Sequence, residues 1–468
     1  SEERGSRDYG RVILEEEDGQ TDSAGQYHIR FPAELIVTDR SQLYTIEATV
    51  HDATGATVSE QTNVIVHAGL IYVGGQPEQY VGQAGEPMNI NLIAVDWESQ
   101  GVPDQTVEVA VIERRFHSVQ EMDSVGRTTW TYEIEEIPIT SAQITTGADG
   151  KAVFTFTPPN GGSYQITLTT RDEAGNTIRS AVYTWVASGE YVSWQMANNN
   201  RIDLIADRDE YQIGDTAEIL ITSPFQGVHE ALITVERGSV LSVERVTLTS
   251  NSYVIEVPIT PEFAPNVFVT VMLIKGVDEA NPIIDYRYGM IQLAVDPEQK
   301  VITLDVEPSV ESAGPGDTVT FTVTATDYAG NPITAEIGAG LTDLAVLTLA
   351  ERTSPPLLNY FYGEQGLGVR TATPLTINVD QITQTVFETV KGGGGGFGEG
   401  GIFDIREEFI DTAYWNAMLA TGADGIASFD VTLPDNLTTW RLDLRAITSG
   451  EDGVMLVGET TFDLLSTK

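Results

Sequence analysis

A recurrence at a spacing of 120 residues constrains this chain more than any other feature. The segment YTIEATVHDATGATVSEQTNVIV, beginning at Tyr44, returns as YQITLTTRDEAGNTIRSAVYTWV, beginning at Tyr164. The leading tyrosine, the Asp-x-x-Gly turn and the closing apolar run stay in step between the two copies. On either side of the turn, apolar and polar residues alternate with the period of a strand buried on one face. A lone hairpin cannot cover that face, and the spacing is too long for the small units of a solenoid. Each repeat must therefore be a complete domain, and the expected fold is all-β, a tandem series of antiparallel β-sandwiches.

Two shorter units support this reading. TDSAGQYHIRF from Thr21, TGADGKAVFTF from Thr146 and TGADGIASFDV from Thr421 each predict a tight turn feeding an alternating strand. Tyr80 to Met88, Tyr211 to Thr216 and Pro315 to Thr318 each put a Gly-containing turn before a core strand and mark a domain start. The spacing predicts domains at 1–68, 69–187, 188–299 and 300–468, the first lacking its opening strands and the last lengthened by an insertion. The chain thus reads as an excised piece, and the remainder of the same protein is an expected partner.

Composition removes several functions. With 69 acidic against 25 basic residues the net charge is −44, which repels phosphate backbones and rules out nucleic acid as a partner. No apolar run is long enough to span a bilayer, so direct membrane insertion is not expected of these residues. The absence of cysteine removes disulfides, thiolate catalysis and Cys-ligated zinc. His28, His51, His67, His117 and His229 show neither metal-ligand nor triad spacing, and no GxSxG elbow is present. The turns at Asp22, Asp52, Asp172 and Asp327 lack the alternating carboxylates of a calcium loop and read as hairpin chemistry. Gly396-x-Gly398-x-x-Gly401 matches a dinucleotide fingerprint by spacing alone, with no helix to follow it. No catalytic residue, metal or cofactor is assigned, and an acidic chain of large domains suits a periplasmic or extracellular setting.

The insertion, about 351–405, follows Leu341 to Leu349, which reads as an apolar strand. It passes Pro355 and Pro356, a glycine patch at Gly363, Gly366 and Gly368, and one strand-like stretch at Thr383 to Val390. It ends in the densest glycine run of the chain: Gly392, Gly393, Gly394, Gly395, Gly396, Gly398, Gly400 and Gly401. Glycine loses the most backbone entropy on ordering, so such a run threads easily into a protease cleft. Arg370, Lys391, Phe397, Phe403 and Arg406 offer cationic and aromatic side chains to differing specificity pockets, with Arg352 further upstream. The segment is expected to be a loop built to be cut.

The flanks carry a family resemblance. Arg406 to Trp415 (REEFIDTAYW), Asp424 to Phe429 (DGIASF) and Leu433 to Arg441 (LPDNLTTWR) resemble the alpha-2-macroglobulin and complement superfamily, its bacterial branch above all. Upstream, Tyr211 to Ala217, Ser223 to Phe225 and Ala231 to Leu241 resemble the domain that precedes the bait region there. The resemblance implies macroglobulin domains, which are fibronectin-III-like sandwiches, with a bait region inserted in one of them. It implies a broad-spectrum protease inhibitor, not an enzyme, whose bait is cut by a target endopeptidase and whose body then closes around it. The thioester of many members requires a cysteine, which these residues lack. The competing expectation is a cell-surface rod, structural or adhesive, whose sandwiches merely extend a binding tip. Tyr414, Trp415 and Trp440 are expected to be core aromatics.

Overall fold

A computed structural model of the chain describes residues 16–33, 40–51, 57–122, 128–195, 199–277, 285–349, 355–370, 411–449 and 455–467. The first strands, β1 (Gln42–His51) and β2 (Thr57–Val66), form an antiparallel hairpin. Three two-sheet units follow. The first of them comprises β3 (Ile71–Pro77), β4 (Val81–Gln83), β5 (Met88–Asp96), β6 (Thr106–Met122), β7 (Thr128–Thr145), β8 (Lys151–Phe156), β9 (Gly162–Arg171) and β10 (Thr177–Ala187). The second comprises β11 (Leu204–Ala206), β12 (Glu210–Tyr211), β13 (Thr216–Thr222), β14 (His229–Arg237), β15 (Ser239–Leu248), β16 (Ser252–Pro258), β17 (Asn266–Lys275) and β18 (Asp285–Val295). The last comprises β19 (Thr303–Pro308), β20 (Ser312–Ala313), β21 (Thr318–Thr326), β22 (Glu336–Asp343), β23 (Thr412–Ala420), β24 (Ile426–Thr432), β25 (Thr439–Ser449) and β26 (Met455–Ser466).

The three units share one topology. Their three-stranded sheets run β3-β5-β8, β11-β13-β16 and β19-β21-β24. Their five-stranded sheets run β4-β10-β9-β6-β7, β12-β18-β17-β14-β15 and β20-β26-β25-β22-β23. In each, the short second strand pairs parallel with the last, and every other pairing is antiparallel. The recurrence seen in the sequence is structural: β1 and β9 begin 120 residues apart, as do β2 and β10, so the opening hairpin is the counterpart of the last hairpin in the next unit.

Period-two patterning builds the cores. The inward positions of β9 are Tyr164, Ile166 and Leu168; those of β17 are Val267, Val269, Val271 and Leu273; those of β25 are Trp440, Leu442 and Leu444. Each such side chain contributes about 1.5 to 3 kcal/mol when removed from water. The turns before β5, β13 and β21 place Gly85, Gly214 and Gly316 at φ of 86°, 99° and 82°, where a Cβ would be strained. That geometry is why the same Gly-containing signal precedes all three core strands.

Two expectations need correction. Residues 341–349 are not one strand: β22 stops at Asp343, and α1 (Leu344–Leu349) follows. The Asp343 carboxylate accepts from the backbone N–H of Ala345 at 2.9 Å, which starts the helix and ends the strand. After Thr21 the turn forms, with Asp22 Oδ1 accepting from the N–H groups of Ala24 and Gln26, but residues 26–33 join no ladder among the described residues.

Candidate functional site

The fourth and fifth strands of each unit form a hairpin, and its tip differs between units. In the unit holding β14 and β15 the link is Gly238 alone, at φ 67°. In the last unit the same two positions, β22 and β23, are joined by residues 344–411. The ends of that long connection meet: Thr342 pairs with Thr412, and the Asp343 N–H donates to the Asp411 carbonyl at 2.9 Å. The insertion is therefore a loop mounted on a hairpin tip, and the sheet beneath it closes without it.

Its root is well packed. Trp440 is fully buried and lies opposite Asp343 in the ladder. Tyr414 turns inward from β23 and stacks on Phe429 at 4.7 Å, and Phe429 in turn stacks on Phe321. Trp415 does not join them. It is 73% exposed, because Tyr414 takes the inward slot and the next residue of a strand must face the other way. Its ring lies over Gly340 on the opposing strand, where a Cβ would come within 3.0 Å of it.

Downstream of α1, the helix α2 (Leu357–Phe361) leads into an extended leg, residues 362–370. Tyr362 packs against the core of the preceding unit and donates its hydroxyl to the Met455 carbonyl of its own unit. That burial raises the Tyr362 phenol above its usual range. The leg then lies on the preceding unit. The Gln365 N–H donates to Asn266 Oδ1 at 2.9 Å, and Asn266 Nδ2 donates to the Gln365 carbonyl at 2.8 Å. Gln292 Nε2 donates to Glu364 Oε1, and the Gly238 N–H donates to the Leu367 carbonyl, each at 2.8 Å. Arg237 supports this contact from behind, its guanidinium donating to the carbonyls of Glu262, Phe263, Ala264 and Asn266. Burial pulls that guanidinium below its ordinary value.

Of the residues singled out in the sequence, Arg370 is exposed at the far end of the leg. Lys391, Phe397, Phe403, Arg406 and the eight glycines from Gly392 to Gly401 lie outside the described residues, as does Arg352. Asn266, Gln365 and Gly238 were not singled out as a group. The available signals were the Arg237-Gly238 pair inside the family-like stretch and the glycine patch. Gly368 sits at φ 65°, and a Cβ on it would come within 2.9 Å of the Gly238 Cα.

The polar clusters elsewhere are structural. Asp172 and Asp327 each accept from backbone N–H groups across their turns, which holds both carboxyls below the usual range despite the opposing effect of burial. Ser223 and His229 are paired at 2.8 Å, a contact that imitates half a catalytic triad. The other ring nitrogen donates to the Gly227 carbonyl at 2.9 Å, and both side chains are buried beneath Phe225. Burial lowers the His229 pKa, so the ring is held neutral as a packed core group.

Comparison with known families follows this geometry closely. The model described as the alpha-2-macroglobulin bait region domain matches residues 202–349, and that of the alpha-2-macroglobulin family matches 412–462. The first match stops at the end of α1 and the second starts at β23, so the two flank the loop on the hairpin tip. The chain belongs to the alpha-2-macroglobulin family.

Bacterial members of the alpha-2-macroglobulin family align along much of its length. An alpha-2-macroglobulin homolog of Nostoc sp. is 27% identical over 84% of this chain and 21% of its own. An alpha-2-macroglobulin of Ralstonia nicotianae is 33% identical over 69% of this chain and 20% of its own. The chain thus spans about a fifth of the length of these relatives. Among solved structures, the native Escherichia coli alpha-2-macroglobulin superimposes with a TM-score of 0.34 at 14% identity, over 91% of this chain and 27% of that one.

Proposed function

We propose that this chain is the bait-bearing part of a broad-spectrum protease trap. A target endopeptidase cuts the loop between β22 and β23, and the cut releases a rearrangement that entraps it. The observation that carries this reading is the placement of a long, glycine-rich connection on a hairpin tip whose ends are already fastened to each other. Such a loop offers a protease an extended substrate without unfolding the sheet, and local, low-cost opening decides where a protease cuts first. The chain acts as substrate and holder, not as a catalyst, and its partners are endopeptidases and the rest of its own polypeptide.

The glycine run supplies extension, and Lys391, Phe397, Phe403 and Arg406 supply bonds for proteases of different preference. Arg370 is the candidate nearest the folded leg. The domains are proposed at 1–68, 69–187, 188–299 and 300–468, and the location as periplasmic or extracellular. No helix among the described residues is long and apolar enough to cross a membrane.

Limited digestion with three proteases of unrelated specificity tests the proposal. All three should cut first between about residues 350 and 406. First cuts near residues 69, 188 and 300 would instead favour a rod of sandwiches joined by exposed linkers.

A further inference from the structure

We infer that the unit holding β11 to β18 carries a clasp for extended peptide backbone, centred on Asn266 and Gly238. It grips residues 364–368 and withholds the bond after Arg370 from proteolysis, so it sets the upstream limit of the cleavable segment.

Asn266 is only 1% exposed, and its carboxamide presents both an acceptor and a donor to one residue, Gln365. That reciprocal pair reproduces what a neighbouring strand offers in a ladder, with a side chain standing in for the strand. Two residues on, Leu367 is bound by the Gly238 N–H, so alternate positions of the leg are held, as in strand addition. Gly368 can approach because it has no Cβ, which would come within 2.9 Å of the Gly238 Cα. Tyr362 fixes the near end by spanning both units.

The same device recurs in this unit. Asn251, 4% exposed, accepts from the Val192 N–H at 3.0 Å and donates to the Val192 carbonyl at 2.7 Å. Its own carbonyl accepts from the Trp194 indole at 2.9 Å. This second carboxamide fastens the linker arriving from the previous unit. The unit therefore grips passing backbone at two places, once for the linker and once for the insertion.

A protease must draw several residues on both sides of the scissile bond into its cleft. Although Arg370 is exposed, the residues just before it are bonded to another unit, and those bonds must open before the bond after Arg370 is a substrate. The clasp itself does not depend on the trap, but its role in bounding the bait rests on that reading.

The test is a timed trypsin digestion of the full chain with cut sites read by mass spectrometry, beside amide exchange at Gln365 and Gly238. In the unaltered protein, cutting after Arg370 should lag cutting after Lys391 by roughly tenfold or more, given the hydrogen bonds at Gln365 and Leu367 that have to open first. Asn266→Ala should erase the lag and speed exchange at Gln365 and Gly238. Gly368→Val changes the leg rather than a strand of either sandwich, presses on Gly238 only at the hairpin tip, and should do the same, which covers the case of a poorly folded Asn266 variant. Arg370 cut as fast as Lys391 in the unaltered protein, or unprotected Gln365 and Gly238 amides, would overturn the clasp and leave the trap standing. First cuts near 69, 188 and 300 with those amides protected would overturn the trap and leave the clasp.

Discussion

The last two sandwiches have the same strand order and the same parallel pair, yet one hairpin tip is a single glycine and its counterpart is residues 344–411. The contrast shows that the length of a tip is nearly independent of the sheet beneath it. Loop-closure entropy grows only with the logarithm of length, so a connection of this size costs on the order of 4 kcal/mol. The stacked Phe321, Phe429 and Tyr414 and the buried Trp440 lie at its root and offset that cost. The other tip is bonded to the leg of the longer one, through Gly238 and Leu367.

Exchanging the tips gives the largest expected effect. Replacing residues 344–411 with the single-glycine link of the neighbouring unit should abolish early cleavage by every protease, while the unit stays folded and melts at a higher temperature. Digestion time courses and calorimetry would show it, and a shortened protein still cut first in this unit would break the comparison. Next comes the root. Trp440→Ala should cost about 3 to 5 kcal/mol in the last unit and leave the preceding one unchanged. Chemical denaturation followed by amide exchange within each unit would resolve the two. An equal loss in both would mean that they do not unfold separately.

The smallest effect concerns pH and falls on the glycine-tipped unit alone. Burial holds His229 below the ordinary imidazole value, so folding favours its neutral form. The stability it confers is complete above about pH 6.5 and is lost as pH falls through the depressed folded value. Melting between pH 7.5 and 5 should show this loss in the preceding unit, and His229→Gln should remove that part of it. An unchanged pH profile in the variant would assign the acid sensitivity to carboxylates instead.

The fold was legible because period-two alternation and Asp-Gly turns are local signals. Gly85, Gly214 and Gly316 show this, since each was readable as a turn before its strand and each takes a positive φ. The place of the insertion was legible for the same reason, because patterned strands stop at one end and resume at the other. The α1 helix was not: Leu344 to Leu349 is apolar enough for a strand, and the Asp343 carboxylate that caps its first turn follows no periodic pattern. Trp415 reads as a core aromatic by composition, yet strict alternation with Tyr414 sends it out. The contact of Asn266 with Gln365 lay beyond reach, because it joins residues 99 apart through an asparagine that no periodic pattern marks.

The strand order of the last unit has one more consequence. A single break within residues 371–410 assigns β19 to β22 to one polypeptide and β23 to β26 to another, and both sheets contain strands from each. The order β20-β26-β25-β22-β23 interlaces the two pieces, so severing the backbone yields a two-chain complement rather than two separable fragments. With strands of both pieces in each sheet, neither piece carries a complete sheet by itself, and the ladders between them would hold the two together.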